Sequence, residues 1–204
     1  MRHITPKATA SKKRIVLAVG ALVLGTLLAG CTTPNPTPTT ALTHTATPTP
    51  TATPTKVAAP KTQDDAVTEG TLAFDQYLKI RAQVNAAGGT NTAPLEKVAT
   101  GQALTVAKAD AGRVAQGKLV TKGRLVFTVT NAYASVLTTG STKIPYGTAN
   151  LTGCQDGSGY KIYNADGTPA QQPQGNYELS VMVIYNPSTS SWMVENVVAT
   201  GKKC

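Results

Sequence analysis

The stretch YELSVMVIYNPSTSSWMVENVVA, residues 177–199, decides the fold class. Tyr177, Leu179, Val181, Val183 and Tyr185 fall on one face of an extended segment, and Met182 and Ile184 occupy the other. Alternation at period two marks a strand, and a strand apolar on both faces belongs in the middle of a sheet. Asn186-Pro187-Ser188 turns the chain into a second strand, Trp192–Ala199.

The segments before it read the same way. Tyr160–Asn164 is a short strand followed by Asp166-Gly167, a strong turn signal. Thr148–Cys154 alternates more weakly. In Arg124–Asn131, Leu125, Phe127 and Val129 alternate with Thr128 and Thr130. Leu119-Val120 is one more short strand. Further upstream the period changes from two to 3.6. Ala73, Tyr77, Ile80 and Val84 share one helical face behind Asp64-Asp65, whose carboxylates suit a helix N-terminus, and Gly88-Gly89 ends that helix. Thr92–Glu96 restarts a short helix with Pro94 in its first turn and Leu95 and Val98 as its apolar side. Gln102 to about Val114 makes a third, with Leu104, Ala107, Ala111 and Val114 aligned. Three helices followed by five or six strands predict an α+β domain over residues 64–204, its N-terminal helices packed on a curved antiparallel sheet.

The carrying motifs are GKLVTKG (117–123), ANLTGCQD (149–156), NADG (164–167) and Trp192-Met193-Val194 followed by the final Cys204. With this element order, residues 66–204 resemble the extracytoplasmic NTF2-like domains of actinobacterial lipoproteins. The resemblance implies a cone with a concave pocket between helices and sheet. It implies no single activity, because the fold hosts isomerases, dehydratases, cyclases and many non-enzymes.

The N-terminus reads as an address. Residues 1–14 carry five basic residues and no acid, and Ile15–Ala29 is an apolar run of fifteen. That is shorter than the roughly 20 residues a membrane-spanning helix needs, and it has the build of a secretory signal peptide. Leu28-Ala29-Gly30-Cys31 resembles a bacterial lipobox. The resemblance implies cleavage between Gly30 and Cys31 and lipidation of the Cys31 thiol with diacylglyceryl and palmitate-type chains. Two or more such chains hold a protein stably on a membrane. The competing reading, an uncleaved anchor with an incidental cysteine, lacks a stop-transfer flank. Residues 32–55 (TTPNPTPTTALTHTATPTPTATPT) have no apolar periodicity, and the linker, read as disordered, is taken to run through residue 63. Some 30 residues at roughly 3.1 Å each reach on the order of 90–100 Å. This Thr/Pro-rich linker is either an O-glycosylated stalk or an unmodified spacer.

Once residues 1–30 are assigned to the signal, the composition changes meaning. The whole chain of 204 residues has 19 Lys and Arg against 10 Asp and Glu, a net +9. Nineteen less five leaves fourteen basic residues against ten acidic, a net +4. The pull toward nucleic acid therefore disappears, and the basic cluster Lys118, Lys122 and Arg124 has no interleaved aromatics. Of three cysteines, Cys31 takes the lipid, and Cys154 and Cys204 remain as one disulfide in an exported domain. The rival reading, two free thiols for metal or redox work, lacks CxxC spacing and histidine partners.

The two histidines are His3 and His44, so residues 64–204 contain none. That excludes Ser-His-Asp and Cys-His machinery and His-ligated metal centres in the domain. No phosphate-cradling glycine motif occurs. Acid–base work would fall to carboxylates, tyrosine or lysine, with Tyr77, Tyr133, Asp75, Asp110 and Glu178 the candidates by type. Asp156 and Asp166 read as turn residues. Tyr77, Tyr133 and Trp192 are the candidate pocket residues, with Tyr77 and Trp192 equally read as core. The expected protein is an extracytoplasmic lipoprotein, held at the cell membrane by its lipid. Its NTF2-like domain binds a small ligand or an envelope protein, with no catalytic residues, no metal and no cofactor. The alternatives are a small isomerase, dehydratase or hydrolase using the cone pocket, and an accessory subunit of a wall or transport complex.

Overall fold

The computed structural model describes residues 56–172 and 175–204. Gly30 and Cys31, with the signal and most of the linker, lie outside the described residues. Helix α1 (Gln63–Ala86) is followed by a 3₁₀ turn (Ala93–Lys97), α2 (Gly101–Gln116), and strands β1 (Val120–Lys122), β2 (Val126–Thr139), β3 (Thr142–Asp156), β4 (Lys161–Tyr163), β5 (Tyr177–Asn186) and β6 (Ser191–Lys203). Two antiparallel sheets result, one of four strands in the order β2-β3-β5-β6 and one of two, β1-β4. The helices pack on the larger sheet, so the domain is α+β as the periodicities predict.

The first helix begins one residue earlier than Asp64, and its cap differs from the expected one. Thr62 is the N-cap: its hydroxyl accepts from the backbone N–H of Asp65, while the Asp65 carboxylate accepts from the N–H of Thr62 at 3.1 Å. This reciprocal capping box satisfies two of the helix's orphan donors. The Thr62 hydrogen bond holds the Asp65 carboxyl below its ordinary value. The linker boundary at residue 63 also shifts, because Val57 already belongs to the domain. Its N–H donates to the carbonyl of Ser190 at 2.7 Å, and its side chain packs on the core.

The helix faces that meet the sheet are small where the approach is close. Gly70 of α1 stands over Ala149 of β3, where an added Cβ would sit 2.5 Å from the Ala149 Cβ. Phe74, Tyr77, Ile80 and Val84 continue that face, and α2 adds Ala103, Ala107 and Ala111. Against them lie Leu151, Val181, Val183 and Val194. β5 is central and inward-facing at Leu179, Val181, Val183 and Tyr185, the face read from the sequence. Trp192 is buried and meets Tyr185 edge-on, with ring centroids 5.8 Å apart.

β2 is the largest departure. The sequence predicts a strand ending near Asn131, whereas β2 runs on to Thr139 and turns through Gly140, at φ 58°, into an equally long β3. Its pairing with β3 slips between Val129 and Asn131 and again between Ser135 and Leu137. Each bulge shifts the alternation by one residue, so Phe127, Ala132, Ala134 and Leu137 all pack on the core without a common period. Bulges also bend a strand, and both β2 and β3 pack against α1. At the other side of the sheet, Val194 exchanges backbone hydrogen bonds with Val98 and Thr100, covering part of the β6 edge. Cys154 and Cys204 form a disulfide that joins the end of β3 to the C-terminus.

Candidate functional site

The small β1-β4 sheet does not lie on the larger one. A cavity of about 640 Å³ opens between the C-terminal halves of the two helices, Ile162 of β4 and the segment 170–172. Its apolar wall is Leu78 from α1, Val114 from α2, Leu119, Leu125 and Ile162. This is the size range of small-molecule sites, which are mostly apolar with a few placed polar groups.

Those polar groups are organised around Asp110. Its Oδ2 accepts from Arg81 Nη2 at 2.5 Å, and its Oδ1 accepts from Arg113 Nη2. Arg81 and Asp110 have side chains only 18% and 20% exposed, whereas Arg113 is 73% exposed. Arg81 also lies 5.4 Å from the centroid of the Tyr77 ring, which supports the guanidinium from below. One turn further along α1, Asn85 Nδ2 donates to the Tyr160 hydroxyl at 3.2 Å. Gln172 closes one side: its Nε2 donates to the carbonyls of Ile162 and Ala170 at 2.5 and 2.6 Å, and its Oε1 accepts from the Ile162 N–H at 3.0 Å. The side chain thus reinforces the edge of β4 that the backbone of Pro169 and Ala170 already pairs with.

None of Tyr77, Tyr133 and Trp192, the pocket candidates from sequence, lines this cavity. Tyr77 is buried in the core and donates its hydroxyl to the carbonyl of Ala103 at 3.2 Å; burial raises its pKa above the ordinary 10.0. Tyr133 is 54% exposed, because the bulge at Thr130 turns it to the sheet face away from the helices. Trp192 borders a shallower depression of about 450 Å³ beside Val57 and Pro60. Of the acid–base candidates, only Asp110 reaches the cavity. Asp75 pairs with Arg124 at 2.5 Å on the surface, and Glu178 accepts from Thr200 and pairs with Lys202 at 3.2 Å. Asp156 and Asp166 are turn residues, held below their ordinary pKa by hydrogen bonds from Ser158 and Thr168 respectively.

Sequence reading missed Leu78, Arg81, Ala82 and Asn85. Their spacing of three, one and three places them along one helical stripe beside the core stripe, which was the available signal. Their partner Asp110 lies 29 positions away, with no local pattern to announce it. Among the described residues no cluster of three or more His, Cys, Asp and Glu could hold a metal ion, and no helix is long and apolar enough to cross a membrane.

No protein-family model and no curated protein matches the chain. Among solved structures, the intermembrane-space region of the chloroplast protein ARC6 aligns with a TM-score of 0.44 and 15% identity, covering 69% of this chain and 98% of that one. A nuclear transport factor 2 (NTF2-like) superfamily protein from Salmonella enterica serovar Typhimurium aligns with a TM-score of 0.38 and 13% identity, covering 69% of this chain and 94% of that one. Each is a similarity of chain path, and no residue role is carried over from either.

Proposed function

We propose that the chain is a lipid-anchored protein of a bacterial cell envelope, of the actinobacterial type. In this reading its NTF2-like domain binds a small, largely apolar ligand and does not transform it. The observation that carries the proposal is the cavity between the two helices and the β1-β4 sheet, apolar over most of its wall. A general base needs a carboxylate free to take a proton from the substrate. The one carboxylate on this wall already accepts from two guanidiniums, one at each oxygen. The anchor rests on the lipobox Leu28–Cys31 and the Thr/Pro tract behind it.

Val57, on the linker side of the domain, borders a depression with Glu69, Leu72 and Ala73 of α1. The cavity residues Leu78 to Asn85 lie further along the same helix, and Val57 is not among the residues that line the cavity.

Native mass spectrometry of the protein extracted from its host membrane tests the binding role. The expected spectrum carries the mass of a retained small molecule, which Leu119→Trp removes by filling the cavity. Bare protein in both samples would count against the proposal. The anchor has a separate test: Cys31→Ser is expected to lose metabolic lipid label and leave the membrane fraction, and a variant still labelled and still membrane-bound would sink it.

A further inference from the structure

The wall of the cavity carries an unbalanced charge. Two guanidiniums, Arg81 and Arg113, face one carboxylate, Asp110, and no other acidic side chain lines the cavity. Each arginine gives Asp110 a single nitrogen, Nη2, while a guanidinium has five N–H donors. Tyr160 accepts from Asn85, so its own hydroxyl proton remains to be given. The polar groups on this wall therefore have donors to spare and one positive charge in excess. Beside and around them are Leu78, Val114, Leu119, Leu125 and Ile162, an apolar surface with nothing to offer a charged or hydrogen-bonding group.

We infer that the ligand is an amphipathic anion, with one carboxylate, phosphate or sulfonate at Arg81 and Arg113 and an apolar body against Leu78, Leu119 and Ile162. The inference rests on the reading that the cavity holds a ligand, and it adds the chemical class. A neutral apolar molecule would leave the excess charge partly desolvated and unmatched, and a cation would meet like charge. A small inorganic anion would satisfy the arginines and leave most of the apolar wall uncovered. Arg81 is fixed between Asp110 and the Tyr77 ring and so sets the position of the head group. Arg113, largely exposed, keeps N–H donors beyond the one on Asp110 Oδ1 and supplies the second cation of the head-group site.

The test uses the full chain in phosphatidylcholine nanodiscs and photoreactive diazirine probes with one decyl body and three heads: carboxylate, hydroxyl and trimethylammonium. Crosslinked peptides are mapped by mass. The expected result is labelling within Leu78–Asn85 and Val114–Leu125 by the carboxylate, about tenfold above the alcohol, the scale of one charge-assisted hydrogen bond. Arg113→Gln is expected to erase most of that preference and Arg113→Lys to keep part of it, and neither exposed change threatens folding. A phosphatidylglycerol carrying the same diazirine in its acyl chain reports whether the anion is drawn from the membrane; labelling of these peptides by that lipid or by the free carboxylate supports the class. Equal labelling by alcohol and carboxylate, or preference for the ammonium, overturns the inference and leaves the ligand-binding reading standing. No labelling of these peptides by any probe overturns both.

Discussion

The hydroxyl of Tyr185, near the end of the central strand, donates to the backbone carbonyl of Val57 at 3.1 Å, across 128 positions of chain. Together with the hydrogen bond from the Val57 N–H to Ser190, it fastens the linker side of the domain to the β5-β6 hairpin. Tyr185→Phe keeps the ring against Trp192 and deletes only that donor. The expected cost is about 1 kcal/mol. Limited proteolysis should show faster cleavage around Lys56 and Lys61, with a small drop in Tm. Unchanged cleavage would show that backbone pairing alone holds the segment.

The Cys154–Cys204 bridge closes a loop over 50 positions and pins the C-terminus beside Gln155, a cavity-lining residue. Cys204→Ser paired with Cys154→Ser removes the bridge without leaving a free thiol. The chain-entropy model puts the loss at about 4 kcal/mol. The check is the urea midpoint of the double variant against the oxidised parent, and hydrogen exchange should rise most in residues 199–203.

Gly70 allows α1 to lie directly on β3. Gly70→Ala gains about 1 kcal/mol of helix propensity but drives a methyl into Ala149, and overpacking of that kind costs roughly 1–3 kcal/mol. The expected result is a net loss of stability. Adding Ala149→Gly reopens the space, so the double variant should lose less than the two single variants summed. Full additivity in denaturant titrations would mean the helix simply moves away.

Tyr77 is expected to make the domain sensitive to alkali. Burial raises its folded pKa above the unfolded value of 10.0, so the folded state holds that proton more tightly. The associated stability is fully present below pH 10 and is lost as pH climbs from there through the folded value. Tyr77→Phe should flatten the fall in urea midpoint between pH 9 and 11.5, while lowering the midpoint at pH 7 through the lost bond to Ala103. A slope identical to the parent's would show that Tyr77 does not carry the alkaline loss.

Local pattern made the elements legible where each kept one period. β5 and the helices qualify, and so does the turn after Asn186. β2 did not, because two bulges reset the alternation that a reader counts. The wall of the cavity is illegible for a related reason. Tyr77, Tyr133 and Trp192 are candidates by residue type, and type does not say which side of a sheet a residue meets; of the three, Trp192 borders a separate depression. Tyr77 still matters to the site, as the ring beneath Arg81.

The sequence by itself determined the α+β order of elements, the central strand, and the pair of cysteines left once Cys31 is set aside. These follow from short-range periodicity and counting. The lipid-anchor reading also belongs to sequence alone, since Gly30 and Cys31 lie outside the described residues. Only the tertiary structure decided where the cavity is and what charge it carries. Arg81, Asp110 and Arg113 come from two helices, and Ile162 and Gln172 from a strand and loop that follow much later. Which helical stripe faces a neighbour, and where a cavity opens beside it, is set by the packing of the whole core. Side chains far apart in the chain acquire a common purpose only there.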